Sequence, residues 1–131
     1  MIVNDPPTLA ALTAAFDRYE AALMSNDVTT LDELFWPSRL TLRFGVGENL
    51  YGFEAIARYR QLRPGGSPQR RLAHTVITTF GSSFGTANTE FQRVATAAQG
   101  APPLGRQSQT WVCFEQGWRI VAAHVSLLVP D

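Results

Sequence analysis

From Arg70 onward the sequence carries only strand signal, and no other feature limits the fold as much. Arg70 to Phe80, Phe84 to Thr96, Gly105 to Phe114 and Gly117 to Ser126 are four long runs with period-two or β-type composition. A turn at Gly81-Ser-Ser and a loop from Ala97 to Pro103 separate the first three. Short connections of this kind join antiparallel neighbours, so this part of the chain reads as an antiparallel sheet. With Gln116-Gly117 as a two-residue loop, the last two runs pair Glu115 with Trp118, Cys113 with Ile120, Trp111 with Ala122 and Gln109 with His124. Side chains alternate along a strand, so these pairs share one face. That face is apolar near the turn and polar further out, at Gln107, Gln109, His124 and Ser126, which suits the floor of a ligand pocket. The other face holds Val112, Phe114, Val121, Ala123, Val125 and Leu127. Left bare it would be a large apolar patch, which predicts a homodimer through the outer sheet face.

The N-terminal half switches period. Asp5 before Pro6 predicts a helix N-cap with proline at the first helical position. Leu9, Leu12, Phe16, Tyr19 and Leu23 recur at helical spacing, so the first helix runs to about Asn26 with Tyr19 on its apolar stripe. Thr30-x-x-Glu33 reads as a capping box for a short second helix carrying Leu31, Leu34 and Phe35, stopped by Trp36-Pro37. From Arg39 the period is two: Leu40, Leu42 and Phe44 alternate with Thr41 and Arg43, and Gly45 and Gly47 turn the chain toward Asn49-Leu-Tyr51. A third helix spans Phe53 to Arg63, and Pro64-Gly-Gly-Ser-Pro68 ends it in a loop. Three helices, a short hairpin between the last two, then four long strands give an α+β order. A curved mixed or antiparallel sheet wrapped by the helices would enclose a conical cavity.

A chain of 131 residues is expected to form one domain, and 45% hydrophobic residues suffice for a core. Formal net charge is zero, which argues against nucleic acid or a membrane surface as partner. All 11 basic residues are arginine, so no lysine is available for a Schiff base or a phosphate loop. The single cysteine, Cys113, excludes an internal disulfide and fits a reducing compartment. Together with an N-terminus lacking a basic, apolar leader pattern, it predicts a cytoplasmic location. The two histidines, His74 and His124, have no cysteine or acidic cluster at ligand spacing, so no metal is expected. No nucleotide fingerprint occurs, and Ser108 lacks the pattern of a nucleophile elbow.

The element order resembles the nuclear-transport-factor-2-like, SnoaL-like cone. More specifically, Phe35-Trp36, Leu42-Arg-Phe-Gly45, Glu48-Asn-Leu-Tyr-Gly52, Glu90-Phe91, Gly105-Arg-Gln-Ser-Gln-Thr-Trp111 and Gly117-Trp-Arg-Ile-Val-Ala-Ala-His-Val-Ser126 resemble the AtzH-like family across nearly the whole chain. The resemblance implies a cone-shaped fold, commonly dimeric, and a setting in the catabolism of small carboxylated ureas, as in cyanuric acid or oxalurate breakdown. It implies a cofactor-independent decarboxylating amidohydrolase that turns 1,3-dicarboxyurea into allophanate. It also implies working residues: a tyrosine on the first helix, here Tyr19, and the arginine of the Arg-Phe-Gly motif, here Arg43.

Those residue types suit the chemistry. A dicarboxyurea is a flat dianion, and losing one N-carboxylate needs a grip on carboxylate and a proton for nitrogen. The planar fork of Arg43 matches a carboxylate, and the Tyr19 hydroxyl is a donor or relay. Gln109 and His124 would hold the urea edges, and Trp111 would wall the flat substrate. Glu90 is a further candidate for the substrate site, although with Arg93 it reads more simply as a cross-strand ion pair. Each choice has a plainer alternative. Tyr19 could be a core tyrosine with its hydroxyl capped by backbone, and His124 a satisfied buried histidine. Alternation sets Arg43 opposite Leu40, Leu42 and Phe44, so Arg43 should not face the interior if they do, unless a bulge or a doubly buried strand intervenes. Arg58, Arg60 and Arg63 read as a solvated helix face. Two functions stay open: the enzyme, or a non-catalytic accessory protein that holds a small anion or supports a partner amidase.

Overall fold

A computed structural model describes residues 1–95 and 100–129. Three helices, α1 (Pro6–Ser25), α2 (Val28–Glu33) and α3 (Phe53–Leu62), pack on one face of a six-stranded sheet. The strands are β1 (Leu42–Phe44), β2 (Asn49–Tyr51), β3 (Arg70–Phe80), β4 (Phe84–Arg93), β5 (Leu104–Phe114) and β6 (Gly117–Leu127). Their spatial order is β2-β1-β6-β5-β4-β3, antiparallel except for the parallel β1 and β6 pair, so the sheet is mixed. The expected strand end at Thr96 and the start of the loop at Ala97 lie outside the described residues. No described helix is long and apolar enough to cross a membrane.

The first helix forms as its sequence predicts. Asp5 caps it by accepting from the Thr8 amide at 3.3 Å and the Thr8 hydroxyl at 2.7 Å, with proline at its start. Its buried stripe is Thr8, Leu12, Phe16, Tyr19, Ala22 and Leu23. The expected capping box at Thr30 is not the cap of α2. Asp27 takes that role, accepting from the Thr30 amide and hydroxyl at 3.2 and 2.6 Å. By accepting the Thr30 amide, Asp27 makes Thr30 the third helical residue, so the helix starts three residues earlier than expected. After α2 the chain pairs briefly with β6: Ile120 donates to Leu34 and Trp36 donates to Ile120.

Two bulges bend the sheet around the helices and decide which side chains face in. In β3, Ala73 pairs with Glu90 but Val76 with Asn88, and His74 sits at φ 53° in the extra position. Arg70 and Leu72 therefore face inward before it, and Ile77 and Thr79 after it. In β6 the pairs change from Trp111 with Ile120 to Thr110 with Ala122, leaving Val121 as the extra residue.

That second bulge corrects the expected register. The loop is Glu115-Gln116, one residue earlier than expected, which pairs Cys113 with Trp118. This slide preserves the faces. The bulge does not: beyond Val121 every β6 side chain is reversed. Ala123 and Val125 are buried, whereas His124 and Ser126 face outward beside Ser108 and Arg106. The outer face is correspondingly less apolar than expected.

The core fills the end of the cone nearest the β5–β6 turn. Leu12 and Phe16 meet Leu34, Phe35, Ala87, Trp111, Trp118 and Ile120. The helix lies close because β4 has no side chain at Gly85, where a Cβ would run into Leu12 and stand 2.8 Å from the Thr78 carbonyl oxygen.

Candidate active site

The other end of the cone is polar. A narrow recess there is lined by Tyr19 and Leu23 of α1, Arg43 of β1, Arg63 and Ser67 after α3, Arg70 of β3, Phe91 and Arg93 of β4, Gln107 of β5 and Val125 of β6. An adjoining pocket shares Tyr19, Leu23, Arg43 and Arg63 and adds Leu50, Ile56, Tyr59 and Arg60.

Tyr19 reaches the recess from the apolar stripe of α1, 4% exposed, with its ring 6.2 Å from that of Phe35. Arg43 faces inward because parallel pairing with β6 sets it beside buried Ala123. Leu42 and Phe44 therefore face outward, with Ala122 and His124, and Leu40 is exposed. The conflict posed by alternation disappears, since the apolar members of this segment are the outer ones. Arg43 donates to Glu48 at 2.9 Å and stands 5.9 Å from the Tyr59 ring centre. Gly45 makes this pair feasible: a Cβ there would occupy the Glu48 carboxylate position.

Arg70 is the most constrained cation. It makes two hydrogen bonds to Glu20, at 3.0 and 2.7 Å, and a third to Gln107 Oε1 at 3.0 Å, over the Phe91 ring. Arg93 lies opposite it across the β3–β4 ladder, 5.8 Å from the same ring. Among the described residues no carboxylate lies within ion-pairing distance of Arg63 or Arg93. Four arginines line the recess and two carboxylates pair with them, so two positive charges are left over. Arg60, in the adjoining pocket, pairs with Asp32. Burial holds its guanidinium below the usual arginine range, with Tyr19 and Asp32 pulling the other way.

Several expected residues lie elsewhere. His124 is exposed on the outer face, edge-on to Phe44. Glu90 also points outward, between the inward Thr89 and Phe91, and Arg93 does not pair with it. The β6 bulge corrects His124, and the unbroken alternation of β4, with Gly85, Ala87, Thr89 and Phe91 buried, corrects Glu90. Gln109 and Trp111 do face inward, but in the core and not in the recess wall. Trp111 is fully buried and its Nε1 donates to Gln109 Oε1 at 3.0 Å. Of the arginines expected on a solvated helix face, only Arg58 is exposed. Arg60 and Arg63 follow Ile56 at spacings of four and three, a stripe visible in the sequence. Gln107 belongs to the polar row expected as the pocket floor, whereas Arg70 and Arg93 are not among the expected site residues.

The AtzH-like family model matches residues 1–131. A protein of unknown function from Pectobacterium atrosepticum, of the DUF3225 family, is 54% identical over 97% of this chain and 95% of its own, with a TM-score of 0.90. A cystatin-like fold protein from Burkholderia xenovorans is 46% identical over 100% and 99%, also with a TM-score of 0.90. A nuclear transport factor 2-like protein from Pseudomonas putida has the same fold at 11% identity, with a TM-score of 0.80 over 95% and 89%. No curated protein matches the chain.

Proposed function

Because the chain belongs to the AtzH-like family, we propose that it is a cofactor-independent enzyme that removes one N-carboxylate from a small carboxylated urea, such as 1,3-dicarboxyurea. The supporting observation is that Tyr19 and Arg43 line one recess that holds two surplus positive charges. A dianion matches that surplus. In the proposed step the bond from nitrogen to the carboxylate carbon breaks and carbon dioxide departs. The electron pair stays on nitrogen, which takes a proton from the Tyr19 hydroxyl, and solvent restores that proton. The dianion thereby becomes the monoanion allophanate. Arg43 binds and orients the departing carboxylate. A positioned acid contributes about two to four orders of magnitude in rate, enough to matter for a bond that is already labile.

The test is release of carbon dioxide and allophanate from freshly generated 1,3-dicarboxyurea, measured against its spontaneous decay. Tyr19→Phe should lower kcat about 100-fold or more with an unchanged melting temperature. Arg43→Lys keeps the charge but loses the fork, and should cost about tenfold in kcat/KM. No acceleration by the wild type would sink the proposal and favour a non-catalytic anion holder or amidase accessory. The proposed homodimer surface remains the outer sheet face, now centred on Phe44, Tyr51, Phe84, Phe114 and His124. A monomer mass by light scattering would count against it.

A further inference from the structure

We propose that Arg63, Arg93 and Gln107 form a second anion subsite in the recess, which holds the carboxylate that the substrate keeps. This rests on the reading that Tyr19 and Arg43 handle the departing one. Arg63 Nε and Gln107 Nε2 are buried N–H groups without an acceptor among the described residues. Burying such a donor unpaired is costly. Gln109 Nε2 and the Thr79 hydroxyl are also unpaired in the core, but only Arg63 and Gln107 line the arginine-rich recess, where an acceptor from outside can reach them.

The direction of the Gln107 amide is set by its neighbours. Glu20 holds Arg70 through two hydrogen bonds, and Arg70 donates to Gln107 at 3.0 Å. A guanidinium only donates, so the accepting atom must be Oε1, and the NH₂ group is turned away from Arg70. Gln107 is 3% exposed and lines the recess, so this amide is a fixed donor at the wall. Arg93 supplies the charge. It sits directly across from Arg70, an arrangement that repels in an empty sheet and becomes favourable once an anion lies between the arginines and the amide. Arg63 approaches from the end of α3, stacked at 5.7 Å on Tyr59.

The consequence is selectivity by charge number. A dianion engages both subsites, while a monoanion fills one. The allophanate product carries one carboxylate fewer than its parent, so it loses one of the two grips at the moment it forms.

Glutarate tests this without turnover. It has three atoms between its carboxyl carbons, as 1,3-dicarboxyurea does, and it does not decarboxylate. Butyrate is its monoanionic counterpart. By calorimetric titration the wild type should bind glutarate about tenfold or more tighter than butyrate, the order expected for one added charge-assisted contact. Arg93→Gln and Gln107→Met should each bring that ratio close to one while changing butyrate affinity less than about twofold. A wild type that does not discriminate, variants that keep the ratio, or variants that weaken both ligands equally would each overturn the subsite. Melting curves accompany each titration. If Gln107→Met does not fold, Arg93→Gln at the strand end decides between these outcomes. A protein that discriminates glutarate but does not turn over dicarboxyurea keeps this subsite and loses the proposed reaction. A protein that turns over but does not discriminate does the reverse.

Discussion

The two ends of the cone are made from the same elements with opposite chemistry. Toward the β5–β6 turn, α1 contributes Leu12 and Phe16, and the sheet answers with Ala87, Trp111 and Ile120. Further along the helix, α1 contributes Tyr19 and Glu20, and the sheet answers with Arg43, Arg70, Arg93 and Gln107. At the first end Trp111 donates to Gln109 Oε1, while Gln109 Nε2 and the Thr79 hydroxyl have no partner among the described residues. At the second, cations outnumber carboxylates and donors are left without acceptors. Unpaired donors occur at both ends, so the surplus of positive charge is what distinguishes the second as a place for a ligand.

The largest expected effect on stability sits at the apolar end. Trp111 is fully buried, so Trp111→Ala removes a large ring and leaves a cavity. The expected loss is about 3–5 kcal/mol by denaturant unfolding. It also strands the Gln109 Oε1 that Trp111 satisfied. Tyr19→Phe, at the other end of the same layer, should leave the unfolding midpoint almost unchanged. Equal losses at both positions would abolish the distinction between the ends.

A smaller effect is expected at Gly45, within the arginine end. An alanine there displaces the Glu48 carboxylate, the flexible end of a side chain, so the fold should survive. The partly exposed pair between Arg43 and Glu48 contributes at most about 1 kcal/mol. Gly45→Ala should separate the kinetic constants: Arg43, freed of its counterion, binds the dianion more tightly and lowers KM, while its lost orientation lowers kcat. Unchanged kcat and KM would show that Glu48 does not position Arg43.

The apolar end is far more legible in the sequence than the site. Leu12, Phe16 and Tyr19 follow from helical spacing alone, and the four long strands from composition and turns. The face of Arg43 does not follow, because a three-residue strand takes its orientation from its partner, and pairing with β6 is a long-range choice. His124 differs from expectation because of a bulge, whereas Glu90 lies on an unbroken β4 whose alternation alone sends it outward. A bulge reverses every side chain beyond it, and neither Val121 nor His74 announces one locally. Arg63, Arg70 and Arg93 do not stand out in the sequence because arginine is usually a surface residue. They meet only after chain reversals bring the end of α3, β3 and β4 together. Gly45 and Glu48 are legible as motif members, but their function of holding Arg43 emerges only from the turn geometry.

The smallest expected effect concerns α2, which serves both ends: Leu31 and, just past the helix, Leu34 and Phe35 enter the core, and Asp32 pairs with Arg60 beside the recess. Its cap is Asp27. Hydrogen bonds from the Thr30 hydroxyl and amide hold that carboxyl below its ordinary value near 3.8. A carboxyl whose folded value is depressed stabilises fully above the unfolded value, and that contribution disappears as pH falls through the folded value. Asp27→Asn retains a capping oxygen but does not titrate. The wild type should therefore melt slightly above Asp27→Asn at neutral pH, and the gap should close as pH is lowered below about 3.8. Other acids titrate in both proteins and cancel in the difference. If the gap stays constant with pH, the charge of Asp27 contributes nothing to α2. If glutarate affinity at neutral pH also falls in Asp27→Asn, the helix transmits strain from its cap to the arginine end, and the two ends are not independent.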